Sequence, residues 1–262
     1  MLPSPAEIAE RDARRLARVL AEVGGEGAAL DGGWMACDPR GSWATYAAGL
    51  GVDGPVSDAT LDALVAYYAA RGRRAAIQIT PYQHPSLLDG LAARGFTVYE
   101  LESVLARALT PRPAGVAVPG LRFQPVDPDD DDSVANFVAA QLAGFFPDRA
   151  PPPAMIPITE RVARSSRCRL WLMTVDGELA GSGGLEVFED AAVLIAGAVM
   201  PHFRRRGIQQ AFVRFRLEQA RLDGRAYATV GSTPGGPTER NALRAGFQMA
   251  YTQIGLARPA PR

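Results

Sequence analysis

The 262-residue sequence has no lysine; all 28 of its basic residues are arginine, and 28 acidic residues balance them to a formal net charge of zero. That excludes a protein Schiff base and a P-loop lysine. A neutral chain also has no bulk attraction to nucleic acid or to an acidic membrane. The absence accompanies enrichment in Ala, Gly, Pro and Arg, as GC-rich coding would produce. Cysteine is nearly missing as well. Cys37 and Cys168 stand far apart, outside any Cys-x-x-Cys or Cys-x-x-His spacing, so neither a disulfide scaffold nor a zinc site is indicated. Two reduced thiols fit a cytoplasmic protein, with a single long-range bridge left open. The two histidines, His84 and His202, adjoin prolines in expected loops and leave little material for a His-based nucleophile triad. No apolar run approaches the ~18 residues of a membrane span. The opening MLPSPAEIAERDARRLARVL lacks the apolar core of roughly 7–15 residues that marks a secretory signal.

What is present organises the chain into two halves. TPRPAGVAVPG at 110–120 has no periodicity and reads as a linker, which predicts domains over 1–110 and 121–262 joined by residues 111–120. The halves share a signature. GFTVYELESVLAR from Gly95 and GFQMAYTQIGLAR from Gly246 carry Gly, Phe, Leu, Ala and Arg at one constant offset, and each follows a short helical pattern. The reading is two related α/β domains, each closing on the same helix–turn–strand. In the first half, a helix over Ser57–Arg71 starts at a capping Ser or Asp and precedes a strand over Ala75–Thr80. Arg71, Arg73 and Arg74 fall at that helix's C-terminus, where cations suit the dipole and no anion site forms.

In the second half, a strand near Leu121–Pro125 precedes the acidic run Asp129–Asp132, which lacks the spacing and Gly of a calcium loop and suits a helix start. After a proline-rich loop, RLWLMTV and ELAGSGGLEVF flank Asp176-Gly177, a hairpin signal. AAVLIAGAVM then reads as a strand buried on both faces. Next come Pro201-His202-Phe203 and Arg204-Arg205-Arg206-Gly207-Ile208-Gln209-Gln210, running into a helix. A buried strand, a basic turn with one Gly and a helix start make an anion site. First-turn N–H groups converge there, the dipole favours negative charge, Gly207 permits close approach, and the arginines add charge-assisted bonds. The predicted ligand is a phosphate or pyrophosphate. A basic run alone would better fit a solvated surface helix, touching nucleic acid in the extreme; the preceding strand and helix start turn the reading to the anion site.

Here the sequence resembles the GNAT superfamily of acyl-CoA-dependent N-acetyltransferases. Their loop, Arg/Gln-x-x-Gly-x-Gly/Ala after a strand ending Val-x-Pro, is matched by Val199-Met200-Pro201 and Arg204-x-x-Gly207-x-Gln209, with Gln209 at the final small position. The resemblance covers about 121–258 and extends to Gly246-Phe247. Thr238 and Arg240 fall on the Ser and Arg positions of an Asn-x-x-Ser-x-Arg contact, and Gly235 stands at the Asn position. It implies an α/β (α+β) fold of two GNAT-like domains, each a mixed, mostly antiparallel sheet flanked by helices. The N-terminal one would be a degenerate repeat without a cofactor loop. It implies acetyl-CoA as co-substrate, without metal, held by Ala198, Val199, Arg204, Arg205, Arg206, Gly207, Ile208, Gln209, Gln210, Thr238 and Arg240. The strand at Arg225–Val230 would splay from its neighbour to admit pantetheine. Many relatives protonate the leaving thiolate with a Tyr four residues before the Gly of Gly-Phe, and Ala242 stands there. Ser232 and Tyr251 are the substitutes, and Glu186 is the first choice of base, ahead of Glu189 and Glu239. The expectation is a cytoplasmic N-acetyltransferase, monomer or homodimer, acting on a small-molecule or amino-acid-like primary amine, with no nucleic-acid or membrane partner. The alternative is a non-catalytic acyl-CoA-binding or regulatory module.

Overall fold

A computed structural model describes residues 2–110 and 115–259. Residues 111–114 of the expected linker lie outside the described residues. The chain separates into two compact units, one built from Pro3–Val104 with the chain from Ala250 onward, the other centred on Leu105–Met249.

The first unit opens with α1 (Pro5–Val23), begun by a capping box. Ser4 accepts from the Glu7 N–H, the Glu7 carboxylate accepts from the Ser4 N–H at 2.7 Å, and Pro5 sits where no N–H is needed. β1 (Glu26–Leu30), β2 (Gly33–Cys37) and the short β3 (Ala47–Ala48) follow, none of them foreseen. The foreseen helix is α2 (Asp58–Ala69), with Ser57 as its cap, and it precedes β4 (Ala75–Ile79). α3 (Pro85–Ala93) leads into β5 (Thr97–Ala108), and β11 (Gln248–Arg258) is the last strand among the described residues. The strand order is β1-β2-β3-β4-β11-β5. Leu61, Leu64, Tyr68, Ile77 and Leu87 anchor its core.

The second unit orders its strands β10-β9-β8-β7-β6, with the end of β5 beside β10. These are β6 (Leu121–Pro125), β7 (Cys168–Val175), β8 (Glu178–Phe188), β9 (Ala191–Val199) and β10 (Tyr227–Ser232). β7 and β8 form the expected hairpin, with positive φ at both Asp176 and Gly177. From β6 to β10 the neighbours pair antiparallel, except β9 and β10, which run parallel. β9 is sandwiched as its composition predicted. Leu194 joins a core that contains Phe212 and Leu217 of α6 (Ile208–Leu222), while Ile195 packs on the opposite face against Val134 and Phe137 of α4 (Asp131–Phe145). The aspartate run starts α4, where Asp130 accepts from the Asp132 N–H. The proline-rich stretch ends in an unforeseen helix, α5 (Met155–Ala163). α7 (Pro237–Arg244) completes the unit.

The two segments with shared sequence also share local geometry. After α3, the N–H groups of Gly95 and Phe96 bond to Ala92 and Leu91. After α7, those of Gly246 and Phe247 bond to Leu243 and Ala242, the same Schellman pattern. Among the described residues both cysteines are free, and no helix is long and apolar enough to cross a membrane.

Candidate functional site

β9 leaves the sheet at Met200, whose N–H bonds to Ala180 O at 2.8 Å. A single 3-10 turn, Pro201–Phe203, then delivers the arginine triplet to the start of α6. Arg205 and Gly207 take left-handed conformations, φ 63° and 77°. Gly207 is the N-cap, and no side chain among the described residues caps the helix. The N–H groups of Ile208, Gln209 and Gln210 therefore have neither an intrahelical acceptor nor a capping one. A Cβ on Gly207 would meet only Val118 Cγ2, at an ordinary 3.6 Å. The backbone conformation calls for glycine here, not lack of space. The uncapped end opens onto a cavity of about 510 Å³.

Nine of the eleven residues expected to hold the cofactor line that cavity, all but Arg206 and Arg240. The arginines divide their work. Arg204 donates from Nε to Val199 O (3.0 Å) and from Nη2 to Gly144 O (2.8 Å), so it pins the end of β9 to the end of α4. Arg205 lines the cavity without such ties. Arg206 lies over the Phe203 ring, 5.1 Å from its centroid, and Arg240 donates to Gly235 O at the start of α7. Six lining residues were missed, namely Gly144, Phe145, Gly197, Phe203, Pro237 and Asn241. Asn241 takes a bridging role, because Gln210 Nε2 donates to its backbone O (2.8 Å) and to Oδ1 (3.1 Å). Phe145, half exposed at the end of α4, forms another wall. Nothing in an Arg-rich helix singled out Asn241; a large apolar residue before a proline loop was the one available hint of Phe145.

The sheet opens beside this cavity. β9 and β10 pair only from Tyr227↔Ala191 to Thr229↔Val193, although β9 runs on to Val199 and β10 to Ser232. Beyond Val193 that edge of β9 pairs with no strand among the described residues, and Ala198 and Val199 line the cavity. The other edge bulges. Ser182 faces Ala198 and Gly184 faces Ile195, so Ala196 and Gly197 oppose Gly183 alone. Ala196 is left-handed, φ 55°.

No protein-family model matches the sequence, and no curated protein does. Solved structures do match. A GCN5-related N-acetyltransferase from Kribbella flavida superposes with a TM-score of 0.72 at 17% identity, covering 97% of this chain and 96% of that one. A putative acetyltransferase of the GNAT family from Novosphingobium aromaticivorans gives 0.59 at 13% identity, with 96% and 99% covered. The fold is that of the GCN5-related N-acetyltransferases. The GNAT fold is also matched at 0.60 and 15% identity, over 98% of this chain and 93% of that one, by the C-terminal domain of a putative lysylphosphatidylglycerol synthetase from Agrobacterium fabrum. Fold alone therefore does not choose the reaction, and the site must.

Within this GNAT fold the three candidate catalytic side chains lie apart from the cavity lining. Glu186 is buried on β8 opposite Val193, level with the last paired residues of β9 and β10. Strand alternation puts it on the face of Gly184, whose Cβ would touch Leu170. Ser232 is buried at the end of β10, on the face of Ala228 and Val230, and its Oγ makes no hydrogen bond among the described residues. Tyr251 belongs to the other unit. Its hydroxyl donates to Asp12 Oδ2 at 2.5 Å, and burial, reinforced by the Asp12 carboxylate, holds its pKa well above the ordinary phenol value. There it is a buried structural donor, because the last strand leaves the second unit after Met249. Among the described residues no cluster of His, Cys, Asp and Glu could hold a metal.

Proposed function

We propose that the protein is an N-acyltransferase that moves an acyl group, acetyl in the first instance, from a coenzyme A thioester to a primary amine of a small-molecule or amino-acid-like acceptor. The observation that carries this reading is the coincidence of three features at one cavity. These are an uncapped helix start with left-handed Gly207 and Arg205, a strand edge freed where β9 and β10 part, and a volume of about 510 Å³. The donor set fits the group. Amides of Ile208, Gln209 and Gln210, with Arg205 and Thr238, suit a pyrophosphate. Backbone groups of Ala198 and Val199 suit the amides of a pantetheine arm in the manner of an added strand.

The thioester supplies an activated acyl carbon and a thiol leaving group. Holding both substrates together contributes much of the rate by proximity. Two proton transfers remain for this chain as the C–N bond forms and the C–S bond breaks. One proton leaves the attacking amine, for which Glu186 is proposed as base through water. One goes to the departing sulfur, for which Ser232 is proposed. A backbone N–H of the freed β9 edge near Val199 polarises the acyl carbonyl.

The test is thiol release from acetyl-CoA against a panel of primary amines, alongside calorimetric binding of CoA. Amine-dependent thiol release supports the enzyme. Saturable CoA binding without thiol release favours the non-catalytic binder, a reading motivated by Ala242 where relatives carry Tyr. Absence of CoA binding overturns both.

A further inference from the structure

Arg216, two turns into α6, is 2% exposed. Its Nη1 donates to Gly184 O and to Ile195 O, both at 3.2 Å, and its guanidinium stacks over Phe212 at 4.3 Å. Among the described residues these are its partners, and none is a carboxylate. Nε is fully buried without an acceptor, and Nη2 has no acceptor among the described residues. With Nη1 engaged and Nε enclosed, Nη2 is the donor left to meet an anion with a charge-assisted hydrogen bond. Burial is the cause that lowers its pKa, to about 9, so the group remains a cation at neutral pH.

This cation abuts the cavity. Gly197, in the β8–β9 bulge, lines it, and a Cβ on Gly197 would stand 3.2 Å from Arg216 Nη2, 3.4 Å from Nη1 and 3.4 Å from Gln209 Nε2. Two donor nitrogens, Arg216 Nη2 and Gln209 Nε2, thus face the position that a side chain on Gly197 would crowd, beside the engaged Nη1. A buried guanidinium without its counter-charge is costly to the fold, and a substrate anion would offset that cost. The backbone amides of Ile208–Gln210 are assigned to the phosphate, so these side-chain donors call for a second anion.

We infer that Arg216, with Gln209, is a specificity site for a substrate carboxylate at the β9 bulge. The inference deepens the acyltransferase reading and rests on it. The carboxylate has two sources, an acyl group that itself carries one, such as succinyl, or an amino-acid acceptor.

Two arms separate them. In the first, calorimetry compares succinyl-CoA with acetyl-CoA on the full-length protein. In the second, thiol release compares an amino acid with its amide and with the amine lacking the carboxyl group. A preference of ~10-fold or more for the carboxylated member of either pair supports the site, and Arg216→Gln should reduce it to within ~2-fold. Arg216→Lys keeps charge and loses the fork, so it should recover only part. The wild-type ratios decide the matter even if the variants do not fold. Equal handling of both pairs overturns the inference while CoA binding leaves the acyltransferase reading standing. Failure to bind any CoA thioester overturns both.

Discussion

Gly207→Ala isolates the conformational requirement of the proposed phosphate loop. Gly207 has φ 77°, and an L-residue in that region costs roughly 1–2 kcal/mol. The added methyl group meets Val118 Cγ2 at an ordinary 3.6 Å, so steric exclusion contributes little. The strain must appear either as lost stability or as lost affinity. The position is an exposed, uncapped turn, so the free protein can relieve the strain by relaxing the loop, and ligand binding must then restore it. At about 1.4 kcal/mol per tenfold, CoA affinity should fall about 5- to 30-fold with little change in Tm. Gly224 is the control. It follows the same helix at its other end, with φ 73° and open space where a methyl group would stand, so Gly224→Ala carries comparable strain. Calorimetric titration with CoA should show the loss for Gly207→Ala and unchanged affinity for Gly224→Ala. Equal Kd values for wild type and Gly207→Ala, or equal losses in both variants, would show that the left-handed turn at Gly207 does not hold the phosphate.

Arg204→Ala removes the ties to Val199 O and Gly144 O and should cost about 1–2 kcal/mol of stability together with CoA affinity, whereas Arg206→Ala, which loses only its place over Phe203, should leave the CoA Kd within ~2-fold. Comparable losses in a denaturant-melt and calorimetry series would contradict that division. In the first unit, burial, with Asp12 and Glu100 nearby and Arg15 opposing, raises the Glu102 pKa from 4.5 to about 7. The folded state then binds more protons than the unfolded one between these values, so this group's penalty is absent below about pH 4.5 and grows as pH rises to 7. Glu102→Gln should therefore raise Tm by an amount that is near zero at pH 4.5 and largest above pH 7, on the order of 2–3 kcal/mol in stability. A gain independent of pH would count against the assignment.

The strand–turn–helix of the site was readable because its signals are local: a charge-free apolar run for β9, then Arg204 to Gly207, then helical spacing. The helix α5 was hidden by the prolines around it, although Pro157 sits in its first turn, where a missing N–H does no harm. Long-range roles were not readable. The bond from Arg204 to Gly144 joins residues 60 apart. Nothing in the sequence sets Arg216 apart from the other arginines of α6, yet the helix buries it along with Phe212 and Val213. Tyr251 sits on a strand that begins in one unit and continues in the other, so its sequence neighbours in the second half did not reveal its partner Asp12.

A crystal structure of the protein soaked with acetyl-CoA tests the central claim most directly. The pyrophosphate is expected on the amides of Ile208–Gln210 and the pantetheine arm along the edge of β9 at Ala198 and Val199, between β9 and β10. A ligand bound elsewhere, with the start of α6 empty, would contradict it.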